Sequence, residues 1–339
     1  MSPRSPAKAV GLFSGGLDSA LAVRILQEQN VDVIAFHLRT PFVGGGAESA
    51  ALVEKLAREL GVELVAEETG PDYIDIITNP RHGRGVALNP CVDCHVYMVR
   101  RARDLMLARD ASFCFTGEVL GQRPMSQRRG QLELVAREAG LGGKLLRPLS
   151  AKLLLPTEAE TAGLVDRERL LDLRGRGRKV QLALAAEYGI TGYASPAGGC
   201  LLTDRHFASL LADALAHGED GPDDFELLKI GRHFRLPSGA KAIVGRNESE
   251  NRALEKHLKG NAVALEVIGA GSPVTLLRGA GEDDWPEAGA LTLLYSDARE
   301  RPEAEARVWS AAGELGTVTV RAGDAAPADG WRPKAFPAK

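Results

Sequence analysis

The 339-residue chain contains no run of eighteen apolar residues, and a helix that crosses a bilayer needs about twenty, so no membrane span is expected. Its opening residues, Met1-Ser2-Pro3-Arg4-Ser5-Pro6, lack the apolar core of a signal peptide, and the expected compartment is the cytoplasm. Cysteine is scarce. Four residues are too few to staple a chain of this length, and in a reducing compartment such cysteines bind metal, do chemistry or are simply buried. An excess of positive charge is missing as well, since 42 basic residues face 45 acidic ones for a net charge of −3. A protein that coats nucleic acid is usually basic, so any such contact here must come from a local patch. What remains, 44% hydrophobic and 26% charged residues, is an ordinary globular composition, and the length favours two domains over one.

A further absence lies near the N-terminus. Gly11-Leu12-Phe13-Ser14-Gly15-Gly16-Leu17-Asp18-Ser19-Ala20 reads as a buried strand (Ala9 to Phe13), a glycine turn and a helix running from Leu17 to Gln29 with apolar residues at helical spacing. Such a turn aims unpaired backbone N–H groups outward at the positive end of a helix dipole, a geometry that binds phosphate. The ordinary phosphate-binding loop then carries a lysine, and none follows these glycines. Gly15 and Gly16 permit close approach of an anion, and Ser14 and Ser19 add hydroxyl donors. Asp18 would repel phosphates unless a cation intervened, which marks it as a Mg²⁺ handle.

Strands at Val31 to Leu38 and Val62 to Ala66 alternate with a helix at Ala47 to Leu60. The expected fold class is therefore α/β, a doubly wound parallel sheet with ligands at the carboxyl ends of its strands, followed by a smaller α+β domain. His37 and Arg39 then fall near a nucleotide crevice. Cys91-Val-Asp-Cys94 opens a helix reaching about Arg109, where thiol pKa values are expected to be depressed. One such pair cannot fill a four-coordinate site. Cys114, between Phe113 and Phe115, reads as a buried thiol, whereas Cys200 follows the turn Ser195-Pro-Ala-Gly-Gly199 and reads as functional. Thr116 to Gln122 is a polar loop at a strand end, and Arg147 is expected at the crevice. Arg174-Gly-Arg-Gly-Arg-Lys179 is a compact basic stretch. Composition shifts at 218–222, placing the boundary between domains 6–217 and 222–322. Beyond it, strands flanking Pro237-Ser238-Gly239 form a hairpin rich in Arg232, Arg235, Lys241 and Arg246, an expected RNA-backbone surface. The tail from Ala322 to Lys339 is expected to be loosely ordered.

The string Ser14-Gly-Gly-Leu-Asp-Ser19 resembles the PP-loop of the ATP pyrophosphatases, of adenine nucleotide alpha hydrolase-like fold, which split ATP between the α and β phosphates. Together with Thr116-Gly-Glu-Val-Leu-Gly-Gln122 and Ser126-Gln127, it makes residues 6 to 205 resemble tRNA thiouridine synthetases, above all the 4-thiouridine synthetase catalytic domain. The resemblance implies that Ser14, Gly15, Gly16, Asp18 and Ser19 take the ATP phosphates, with Mg²⁺, and that Gly117 and Gln122 lie near the nucleotide. Residues Leu227 to Arg246, continuing through Asn251, resemble the NFACT-R type of RNA-binding domain. The two together resemble a group often labelled thiouridylate methyltransferase, yet no glycine motif for a methyl donor is present. Some thiouridine synthetases hold a 4Fe-4S cluster on a Cys-x-x-Cys pair and one distant cysteine, and Cys91, Cys94 and Cys200 match that layout. The implied reaction adenylates a uridine carbonyl oxygen and replaces it with sulfur from inorganic sulfide or a cysteine desulfurase, with tRNA as partner. Related enzymes often pair, so a homodimer is compatible.

Two departures matter. The THUMP domain that usually precedes the 4-thiouridine catalytic domain and the zinc-finger cysteines of a 2-thiouridine group are both absent. Competing readings are a cysteine persulfide and disulfide relay without a cluster, a structural zinc held by the three cysteines with His95, a small-molecule amidotransferase, and a non-catalytic RNA-binding protein with a relic nucleotide fold.

Overall fold

The computed structural model describes residues 6–43, 46–194, 199–325 and 328–337. The chain divides into two compact units, Met1–Thr203 and Asp204–Lys339. The division falls ahead of the helix Arg205–Ala216, not after it as composition suggested. That helix is tied to the second unit: Asp213 accepts a hydrogen bond from Arg235 at 3.2 Å, and the Ser209 hydroxyl accepts one from the Phe336 N–H at 2.8 Å.

Among the described residues, the first unit is a five-stranded parallel sheet. Its strands are β1 (Lys8–Leu12), β2 (Asp32–Arg39), β3 (Glu63–Glu68), β4 (Phe113–Thr116) and β5 (Leu145–Leu146), in the order β3-β2-β1-β4-β5. Every pairing is parallel, with Ala9 opposite Val33 on one side and Phe113 on the other. The helices are α1 (Leu17–Gln27), α2 (Gly46–Glu59), α3 (Asp72–Thr78), α4 (Cys91–Ala108), α5 (Arg129–Glu138), α6 (Glu158–Thr161) and α7 (Lys179–Glu187). Side chains of a strand alternate between faces, so each face builds its own core. Ala9 and Phe13 pack with Leu17, Leu21, Val53, Leu56 and Ala185 of α1, α2 and α7. Val10, Ile34 and Phe36 pack with Val96, Val99, Met106 and Val135 of α4 and α5. Near-continuous apolar strands are what burial on both faces demands. The order reverses between β1 and β4, the place at which open α/β sheets take ligands beyond the carboxyl ends of their strands.

The second unit is a six-stranded antiparallel sheet, in the order β11-β10-β8-β9-β7-β6, with its helices. Its strands are β6 (Arg232–Arg235), β7 (Lys241–Val244), β8 (Val263–Val267), β9 (Thr275–Arg278), β10 (Glu303–Ser310) and β11 (Gly313–Arg321). The hairpin forms as expected, with Arg235 opposite Lys241. The tail departs from expectation. Trp331 and Ala328 are buried in one core with Phe234 and Leu236, because burying an indole removes more apolar area from water than ordering a short segment costs.

Candidate nucleotide and thiol site

The turn after β1 is shaped by contacts on every side. Gly15 has φ of +72°, and a Cβ there would stand 2.7 Å from a Val53 methyl. Its carbonyl accepts the Ala194 N–H at 2.8 Å. Helix α1 starts at Gly16 without a side-chain cap, which leaves its first-turn N–H groups for a ligand. The Ser19 hydroxyl donates to the Gly16 carbonyl at 2.8 Å and lies 3.3 Å from the Ser14 hydroxyl. Asp18 is held at one oxygen, where Gln122 donates to Oδ2 at 3.0 Å. Its Oδ1 is buried with no hydrogen-bond partner among the described residues. An orphaned carboxylate oxygen beside an uncapped helix start fits a hard cation such as Mg²⁺.

Gly117 follows β4, and its role is steric. A Cβ at that position would lie 2.6 Å from the backbone carbonyl carbon of Asp18 and the backbone nitrogen of Ser19. Only glycine lets the β4 loop lie against the first turn of α1. His37 is a packed residue: its Nδ1–H donates to the Phe13 carbonyl at 2.8 Å, and burial pushes its pKa down. The neutral ring thus fixes the backbone at the entry to the glycine turn.

Arg147 corrects an expectation. It is buried, and instead of facing the crevice it donates to Glu118 Oε2 at 3.0 Å and to the Leu132 carbonyl at 2.9 Å. Glu118, which the sequence did not mark, also accepts from the Thr116 hydroxyl at 3.0 Å and pairs with His95 Nδ1 at 2.8 Å. Burial alone would raise its carboxyl, but the Arg147 guanidinium and the His95 contact overcome that and hold it at about 2.

All four cysteines are free. Cys114 is packed as expected, and burial pushes its thiol up to about 12. Cys91 and Cys94 lie in the first turn of α4. Cys200 is bridged to Val43 beyond β2, next to a hydrogen bond from the Leu201 N–H to the Phe42 carbonyl at 2.8 Å. The residues 195–198 that precede it lie outside the described residues. The Cys94 and Cys200 segments are linked through one aromatic residue: the Tyr73 hydroxyl lies 3.0 Å from Cys94 Sγ, and its ring stacks on Phe42, whose neighbour Val43 is bridged to Cys200. For Cys94 the expected depression of thiol pKa does not occur. Burial raises Cys94 to about 12 and raises Cys200 too, outweighing the hydrogen bonds they accept. Three thiolates together need a soft cation to offset desolvation and mutual repulsion. Among the described residues no three His, Cys, Asp or Glu side chains converge on a single ion.

Two residues around the thiols carried no signal in the sequence pattern. The Tyr73 hydroxyl lies 3.0 Å from Cys94 Sγ, and Asn89 Nδ2 donates to Cys91 Sγ at 3.2 Å.

The basic hairpin of the second unit also differs from expectation. Lys241 is only 2% exposed and pairs with Glu219. Arg235 binds Glu219 at 2.7 Å and also pairs with Asp213. Arg246 pairs with Glu250, and Arg232 stacks over the Tyr295 ring at 4.6 Å. Lys241 and Arg235 thus join the hairpin to neighbouring acids of their own unit and are not open to an RNA backbone. Arg246 and Arg232 remain at the surface.

No curated protein matches the chain. Solved structures that resemble it distantly include the following three. The C-terminal part of the fibronectin/fibrinogen-binding protein of Streptococcus suis is 16% identical, over 34% of this chain and 60% of its own length, with a TM-score of 0.25. The chain therefore spans less than two thirds of that structure. A predicted subunit of tRNA methyltransferase from Methanocaldococcus jannaschii DSM is 18% identical over 53% of this chain and 76% of its own, with a TM-score of 0.34. The U34-tRNA thiolase NcsA of Methanococcus maripaludis, solved with its 4Fe-4S cluster, is 16% identical over 66% of this chain and 69% of its own, with a TM-score of 0.34. In the second unit, residues 231–332 match the family model NFACT-R_2, the NFACT protein RNA binding domain.

Proposed function

We propose that the protein is an ATP-dependent tRNA thiolating enzyme in which the first unit, up to Thr203, carries the chemistry and the second, from Asp204, holds the tRNA. One observation carries the reading. Tyr73 ties the Cys94 turn to the segment paired with Cys200, in the same unit as a glycine turn whose helix start has no side-chain cap. A nucleotide-binding or RNA-binding relic needs no such link between thiol segments.

In this reading the N–H groups at Gly15, Gly16 and the start of α1 hold the ATP phosphates, and Ser14 and Ser19 add donors. Asp18 would hold Mg²⁺, which would neutralise the phosphates, while Gln122 fixes one oxygen of that carboxylate. A uridine carbonyl oxygen attacks the α-phosphorus of ATP and pyrophosphate leaves. A sulfur nucleophile from sulfide or a desulfurase then attacks the activated carbon, and AMP departs with the oxygen. Position 4 of the base is favoured over position 2, and a homodimer is compatible with the reaction. Cys91, Cys94 and Cys200 would hold a 4Fe-4S cluster, which supplies an iron without a protein ligand where an incoming sulfur species can bind.

The test is anaerobic purification with iron, sulfide and zinc analysis of the wild type and Cys200→Ala, alongside RNA-dependent pyrophosphate release in Asp18→Ala. The expected result is about four irons per chain lost with Cys200, and turnover lost with Asp18. Full thiolation by an iron-free protein would replace the cluster with the relay. RNA binding without any turnover would leave the relic.

A further inference from the structure

Each of the three thiols has a hydrogen-bond partner of its own. Asn89 Nδ2 donates to Cys91 Sγ at 3.2 Å, the Tyr73 hydroxyl sits 3.0 Å from Cys94 Sγ, and Cys200 accepts the backbone N–H of Leu202. Both side chains are well buried, at 4% for Asn89 and 1% for Tyr73. Polar groups that deep are costly unless they make hydrogen bonds. Asn89 uses its other end locally, where Oδ1 accepts the Ala87 N–H at 3.2 Å. That bond settles the amide orientation and leaves Nδ2 to face the sulfur.

Tyr73 does more than touch one thiol. Its ring lies between Phe42, at a centroid distance of 6.3 Å, and Tyr97, at 5.3 Å. The Phe42 carbonyl accepts the Leu201 N–H, and the adjoining Val43 pairs with Cys200. One aromatic side chain therefore contacts the segment that anchors Cys200 and carries the hydroxyl that meets Cys94. A hydroxyl beside a thiol can act either as donor or as acceptor, but beside a thiolate it can only donate.

We propose that Tyr73 is a positioning residue for the three-cysteine site, donating its hydroxyl hydrogen bond to the Cys94 thiolate while Asn89 does the same for Cys91. The inference rests on the cluster reading above. Hydrogen bonds to cysteine sulfur withdraw electron density from a cluster and favour its reduced form. Losing the Tyr73 hydroxyl therefore favours the oxidised form.

The experiment compares wild type, Tyr73→Phe and Tyr97→Phe, each reconstituted anaerobically with iron and sulfide and titrated redox-wise by visible and electron paramagnetic spectra. Tyr73→Phe keeps the ring and its packing. It is expected to retain the wild-type iron content, with its oxidised-to-reduced ratio at fixed potential raised about tenfold, a midpoint about 59 mV lower for one electron. Tyr97→Phe loses a hydroxyl that bonds Asp72 and no sulfur, and its midpoint is expected to match the wild type. Should Tyr73→Phe fold but take up no iron, Asn89→Leu decides: an intact cluster with a lowered midpoint upholds the role of the sulfur donors, and an unshifted midpoint overturns it. A loaded Tyr73→Phe with an unshifted midpoint overturns the proposal and leaves the cluster reading intact. A wild type that binds no iron overturns both.

Discussion

Glu118 offers the sharpest test of how the first unit is held together. Its carboxylate is 7% exposed and is gripped by Arg147, His95 and Thr116. A carboxyl held at about 2 instead of 4.5 contributes about 3 kcal/mol at neutral pH, at about 1.4 kcal/mol per pH unit. Because the folded pKa is depressed, that contribution is fully present above the unfolded value near 4.5 and is lost as pH falls towards 2. Glu118→Gln keeps the shape, removes the charge and leaves the 6%-exposed Arg147 without a counter-charge. Breaking a buried pair from one side costs about 3–5 kcal/mol, and that is the expected loss at pH 7. The three tryptophans, Trp285, Trp309 and Trp331, all lie in the second unit. Urea unfolding followed by far-ultraviolet circular dichroism reads both units and tryptophan fluorescence the second, so the first unit's transition is the part of the dichroism change that fluorescence lacks. The stability gap between wild type and variant is expected to close between pH 5 and 2.5. A variant within about 1 kcal/mol of wild type at pH 7, or a gap that ignores pH, would refute the reasoning.

Three further outcomes are expected. Gly117→Ala drives a methyl into the backbone of Asp18 and Ser19 and should cost about 1–3 kcal/mol by overpacking, with ATP affinity falling as well. The same change at Gly130, helical with open space around it, should instead raise stability by up to about 1 kcal/mol, and equal effects at the two sites would sink the steric argument. Lys241→Met should leave RNA affinity and its salt dependence unchanged, because the ammonium is buried against Glu219; a salt slope shallower by about one would return it to a phosphate contact. His82 hydrogen-bonds Asp93 at 2.9 Å and Glu138 at 3.1 Å, and these partners raise its pKa, Asp93 most. Its stabilisation is thus complete below pH 6.5 and disappears as pH rises through the raised value. An imidazole titration by NMR with a midpoint at or below 6.5 would contradict this.

Much of the first unit was legible because its signals are local. Apolar runs such as Val10 and Ile34 to Phe36, helical spacing from Leu17 and a glycine pair between them are properties of ten or fifteen neighbouring residues, and they prescribe strand, turn and helix wherever the chain goes. The short helix Asp72–Thr78 was not legible, since seven residues complete barely two turns. With it went Tyr73, whose value to the site lies in a sulfur twenty-one residues away.

By itself, then, the sequence determined the α/β alternation, the phosphate-ready turn at Ser14 to Ser19, the candidate thiols and the hairpin around Pro237-Ser238-Gly239. Tertiary structure alone decided which charges stay available and which thiol segments are linked. Arg147, Arg235 and Lys241 carry the same charge in any sequence reading. Their acids, Glu118, Asp213 and Glu219, are far along the chain, and only folding brings them near enough to remove those cations from ligand binding. The Cys200 segment is tied to Cys94 through Tyr73 for the same reason: parallel strands deliver loops from distant parts of the chain to one edge of a sheet, and a link between segments so far apart leaves no trace in the neighbours of either.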